Sequence, residues 1–159
     1  MRGDFLETVD EKGKEQWHKE EAVSNFNLTW DLIDKVNRSK EEDLLMIHQA
    51  HASRFHWGQI GTPIELARGE WQISRVYALL QMGESALYHA EMCLGYCEEN
   101  DIGDFDLAFA YEALARAYKV SKFKTMSEKY YDLAMRAADD IEKPEDRNHF
   151  LSELGTIKD

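Results

Sequence analysis

The chain has 159 residues, 43% hydrophobic and 31% charged, enough for one globular domain with its own core and no need of disulfide or metal staples. A formal net charge of -12 repels nucleic acid and anionic lipid, and no Lys/Arg-rich run supplies a local exception. No segment approaches the roughly 20 uninterrupted apolar residues of a membrane span, and the N-terminus has no apolar run of signal-peptide length. A soluble, cytoplasmic protein with neither nucleic-acid nor membrane partners is expected.

Residues 1–18 are charged and weakly periodic, an N-terminal segment expected to be partly ordered; residues 19–159 are expected to form a single helical domain. From about Glu20, the positions Ala22, Val23, Phe26, Trp30, Ile33 and Val36 recur at threes and fours, which predicts a first amphipathic helix ending near Asn37. Ser39-Lys-Glu-Glu42 restarts the chain with a capping-box pattern. The second helix is expected to turn Leu44, Leu45, His48, His51, Ala52 and Phe55 inward and to stop around Trp57-Gly58. Thr62-Pro63-Ile64-Glu65 joins an N-cap threonine, a proline at the first helical position and a glutamate at the third, so a third helix begins there. Its core stripe is Leu66, Ile73, Val76, Tyr77 and Leu80. Its other face gathers Ile64, Arg68, Trp71, Arg75 and Leu79 within roughly 80°, two guanidiniums flanking an indole.

Gly83 is expected to end that helix. A fourth then starts at Glu84 or Ser85 and carries a stripe of small residues, Ala86, Ala90, Cys93 and Cys97, suited to close helix contact. The two cysteines are four apart rather than in Cys-x-x-Cys spacing, and read as small buried thiols. After the turn Asn100-Asp-Ile-Gly103, the stretch Asp104 to Tyr118 is apolar almost all round a helical wheel and belongs in the middle of the molecule. Glu112 and Arg116, its only charges past the first turn, sit four apart in the favoured acidic-first order. Asp104 and Asp106 look like a carboxylate pair, but capping and the helix dipole account for both. A sixth helix is expected from Ser121 and a seventh from Pro144.

Short turns between helices of four to five turns place each helix antiparallel to the next. The predicted fold is all-α: antiparallel helix hairpins, recurring at roughly 40 residues, stacked as a short solenoid of about seven helices. Tyr111, Leu114, Ala115 and Tyr118, followed by Ser127, Ala134 and Met135, resemble the aromatic, leucine, small, tyrosine and later small positions of a tetratricopeptide repeat. Lys122 stands where that repeat has glycine, and Phe123 comes one position early. The block from His56-Trp57 through Ala67-Arg-Gly-Glu-Trp71 to Tyr111-Glu-Ala-Leu-Ala-Arg116 also resembles helical-repeat proteins of bacteria that have no assigned role. These resemblances imply a fold and no activity.

No nucleophile stands in a Gly-x-Ser-x-Gly setting, and there is neither a phosphate-cradling glycine loop nor a His-Glu-x-x-His. No catalytic residue, metal ligand or cofactor is predicted. His48 and His51 share a face, but His56 lies about 12 Å beyond His48 along the helix, too far for one ion, and a site would need further ligands such as His89 or Glu91. Arg75 finds no carboxylate on its own helix, so a partner such as Glu112 must come from the neighbouring one. The candidate binding residues are therefore His56, Trp57, Arg68, Trp71, Arg75, His89, Tyr111, Glu112 and Arg116. They suggest a noncatalytic protein- or peptide-binding module whose arginines receive an anionic group, with a second copy of the chain as another partner open to such a surface. The alternative is a small-ligand-binding protein or metal-dependent enzyme with a polar site built from His56, Arg68, Arg75, His89 and Glu112.

Overall fold

In the computed structural model, which describes residues 10–157, local punctuation divides the described residues into seven helices: α1 (Glu11–Ile33), α2 (Lys40–Ile60), α3 (Pro63–Leu79), α4 (Gly83–Glu99), α5 (Asp104–Val120), α6 (Lys124–Ala138) and α7 (Pro144–Gly155). The described residues contain no strand. Ser39 and Glu42 form the expected capping box, each accepting from the other's backbone N–H. At α3, the Glu65 carboxylate reaches back to the N–H and hydroxyl of Thr62.

The first hairpin departs most from expectation. α1 begins at Glu11, where the Asp10 carboxylate accepts from the Gly13 N–H, well before the periodic stretch from Glu20. It ends at Ile33, because Arg38 folds back and donates to the Leu32 and Lys35 carbonyls while holding Asp43. Val36 is therefore 91% exposed in the connection rather than part of an apolar stripe. On α2 the buried positions are Met46, Ala50 and Ser53, whereas Leu44, Leu45 and Phe55, expected inside, face outward. With its backbone close only to α1 and α3, α2 can bury only a narrow stripe.

Consecutive helices pack as hairpins α1–α2, α3–α4 and α5–α6, with α7 closing the stack. The first helices also touch: α3 packs on α5, with α1 and α7 on the outer flanks. Not one helix but two, α3 and α5, are wrapped on most sides, and alanines on α5 and small residues on α4 allow the close approach. Each hairpin carries a buried serine hydroxyl that donates to an alanine carbonyl on its partner helix: Ser53 to Ala22, Ser74 to Ala86 and Ser127 to Ala115, at 2.7, 2.8 and 2.8 Å. The α3–α4 and α5–α6 turns repeat one geometry, with Gln81 and Lys122 in the left-handed region at φ 61° and 64°.

Gly83 does not end α3 but opens α4. A Cβ there would lie 2.2 Å from Ser121 Oγ and 3.1 Å from the Ser121 backbone, so the glycine is needed for α4 to abut the α5–α6 turn. Asp104, expected to cap α5, is instead its first helical residue; the N-cap position is Gly103, with no side-chain cap hydrogen bond. Asp104 stands at φ 52°, and its carboxylate accepts from the Phe105 N–H and, across the fold, from the Glu142 N–H ahead of α7.

Candidate functional site

A cavity of about 650 Å³ opens between the first helices, the size range of small-molecule and peptide-anchor pockets. α1 contributes Phe26, Trp30 and Asp34; α3 contributes Ala67, Arg68 and Trp71; α5 contributes Phe105, Asp106 and Phe109; α7 contributes Asp146, His149 and Glu153; Cys93 of α4 reaches its floor. Rings build the walls. Trp30 stacks on Trp71 at 5.6 Å between centroids, Phe109 meets Trp71 edge-on at 5.2 Å, and Phe105 leans on Phe109 at 4.6 Å. Arg68, half exposed, grips Asp106 through two hydrogen bonds of 2.7 and 3.0 Å, and that pairing raises its pKa. A smaller annex of about 160 Å³ lies beside Phe26 and Arg68, with Trp57 on its edge.

Beneath the cavity runs a buried polar chain. Glu112, with none of its surface exposed, accepts from Trp71 Nε1–H at 2.8 Å through one oxygen and from Arg116 at 2.7 Å through the other. Arg116 continues to the Glu153 carbonyl and the Thr156 hydroxyl, tying α5 to α7. Glu112 is thus fully engaged by residues other than Arg75. The nearest carboxylate oxygen to Arg75 is Glu153 Oε2, at 3.8 Å from its Nε, and neither atom has a hydrogen-bond partner among the described residues. Burial, together with the charge of Arg116, lowers the Arg75 pKa.

The remaining predicted residues lie elsewhere. His56 pairs with His18, Nδ1 to Nδ1 at 2.8 Å, on the α1–α2 hairpin; burial and His18 lower its pKa. His89 sits on the α2–α4 side of the stack, where it contacts Glu70 at 2.6 Å and stacks on Tyr77 at 5.7 Å. In the same cluster Arg54 bridges Glu70 and Tyr96, and His51 contacts the Tyr77 hydroxyl at 2.9 Å. Tyr111 turns toward Tyr130 of α6. The structure therefore brings Arg68 and Trp71 to one cavity and sets Arg75, Glu112 and Arg116 behind it. It does not gather His56, Arg68, Arg75, His89 and Glu112 into one polar site.

No group of three or more His, Cys, Asp or Glu side chains among the described residues is placed to hold a metal ion. Cys93 and Cys97 are buried free thiols, and the contact with Cys97 together with burial pushes the Cys93 thiol well up, away from a reactive thiolate. No described helix is long and apolar enough to cross a membrane. Sequence reasoning missed Phe26, Trp30, Phe105 and Phe109 as cavity walls, although the first two already stood on the apolar stripe of α1 as residues four apart. Comparison of the chain with protein-family models, curated proteins and solved structures returns no match.

Proposed function

We propose that the chain is a noncatalytic module that binds a protein or peptide in a tetratricopeptide-like groove formed by α1, α3, α5 and α7. The observation that carries this reading is the aromatic-walled cavity on the side where the first helices of the hairpins meet. Repeating hairpins with matched turns support the tetratricopeptide-like description, and such stacks present extended binding surfaces along their first helices. The histidines sit in two clusters outside the cavity, apart from His149 on its rim.

Immobilised protein, used to capture a partner that is then purified and retested by calorimetry, checks the groove. Trp30→Ala with Phe105→Ala should leave the helical circular dichroism intact and weaken the complex at least about tenfold, since aromatic anchors dominate such contacts. Unchanged affinity in that folded variant would remove the groove as the binding surface.

A further inference from the structure

We propose that the cavity receives a basic side chain, arginine or lysine, presented by a peptide segment of the partner. This rests on the groove reading and adds the chemistry of the occupant. Four carboxylates, those of Asp34, Asp106, Asp146 and Glu153, line the cavity, against the single lining cation Arg68. Asp106 already spends both oxygens on Arg68. The Asp34 and Asp146 carboxylates make no hydrogen bond or ion pair among the described residues and act only at longer range, on Arg75 and Arg68, while Glu153 Oε2 has no hydrogen-bond partner and faces Arg75 Nε at 3.8 Å, beyond hydrogen-bonding distance. With Arg68 set against Asp106 and Arg75 against Glu153, two of the four carboxylates are left without an ion-pair partner, and this excess of negative charge around an apolar recess opposes an anionic ligand and favours a cation.

The walls fit the same ligand. The Trp71 N–H is committed to Glu112, so this indole offers the cavity ring surface rather than a donor, and Trp30 stacks alongside it. Aromatic surface attracts a guanidinium or ammonium through the negative face of the ring. A guanidinium suits the combination best, because its plane stacks on rings while its edge donates to carboxylates in pairs. The anion-receiving role first suggested by Arg68, Arg75 and Arg116 is not supported by their surroundings: Arg68 and Arg116 hold carboxylates, and Arg75 is buried behind the cavity.

The test uses the full chain and fluorescein-labelled peptides Ala-Ala-Leu-X-Leu-Ala-Ala, where X is arginine, lysine, citrulline or glutamate, read by anisotropy. The arginine peptide should bind at least tenfold more tightly than its neutral isostere citrulline, and the glutamate peptide should be weakest. The triple variant Asp34→Asn, Asp146→Asn, Glu153→Gln, checked for an unchanged helical spectrum, should erase the difference between arginine and citrulline. Equal binding of arginine and citrulline peptides, or tighter binding of glutamate, overturns the cation proposal while peptide binding itself, and with it the groove reading, persists. Absence of binding by all four also overturns it, and the groove reading is then judged by the captured partner and the Trp30→Ala, Phe105→Ala variant.

Discussion

Glu112 lies four residues before Arg116, and helical spacing alone predicts their ion pair. Spacing does not predict that the other carboxylate oxygen is taken by an indole from a different helix. Removing the charge leaves Arg116, mostly buried, without its counter-ion, so Glu112→Gln should cost about 3–5 kcal/mol in chemical denaturation. Arg75 is the opposite case: buried but poorly paired, it recovers little for its desolvation, and Arg75→Met should cost no more than about 1 kcal/mol. Equal losses for the two variants would mean that Arg75 is as firmly paired as Glu112. The residue type and helical face of Trp71 and Arg75 were legible in the sequence. Their burial was not, because a wheel describes one helix and the cover comes from Trp30 on α1 and Glu153 on α7.

Helix starts at Lys40, Pro63 and Pro144 could be read from their caps and prolines, and α5 from its unbroken apolar girth. The turns between paired helices were harder, since the expected glycine is absent: Gln81 and Lys122 take the left-handed position without the freedom glycine has there. Gln81→Gly and Lys122→Gly should each raise stability by up to about 1 kcal/mol, as relief of Cβ strain exceeds the entropy of the unfolded glycine. Asp104→Gly, at the same kind of backbone angle, should instead lose stability, because the carboxylate ties the α6–α7 connection to α5. Thermal melts of the three variants separate the two expectations; a gain for Asp104→Gly would show that its contact contributes nothing. The serine-to-carbonyl links had no sequence signal beyond Ser127 standing where a tetratricopeptide repeat, which that stretch resembles, has a small residue. A hydroxyl facing a carbonyl across a hairpin becomes visible only once both helices are placed.

Taken whole, the molecule has two histidines in separate clusters, His51 and His56, that respond to acid in one direction. His51 is held low by burial and by His89, with His48 adding to the effect and Glu70 opposing it; His56 is held low by burial and by His18, with Glu21 opposing it. An unfolded histidine titrates near about 6.5, so below that pH the unfolded chain takes up protons that the folded one resists. Stability contributed by these neutral rings is present above about pH 6.5 and is lost as the pH falls toward the lowered folded values. The melting temperature should drop between about pH 7 and 5.5, above the usual carboxylate range, and the His51→Gln, His56→Gln variant should show a flatter profile. A melting temperature that holds or rises over that interval would contradict the burial of these rings. The row of first helices has a separate consequence for any segment that lies across it. Packed helix axes stand about 8–10 Å apart and a polyproline II chain advances about 3.1 Å per residue with three residues per turn, so a segment in that conformation moves on by about three residues, with its side chains back on the same face, from one helix to the next. Its recognition motif would carry anchors at every third position, and crossing from α1 to α7 would take about nine residues.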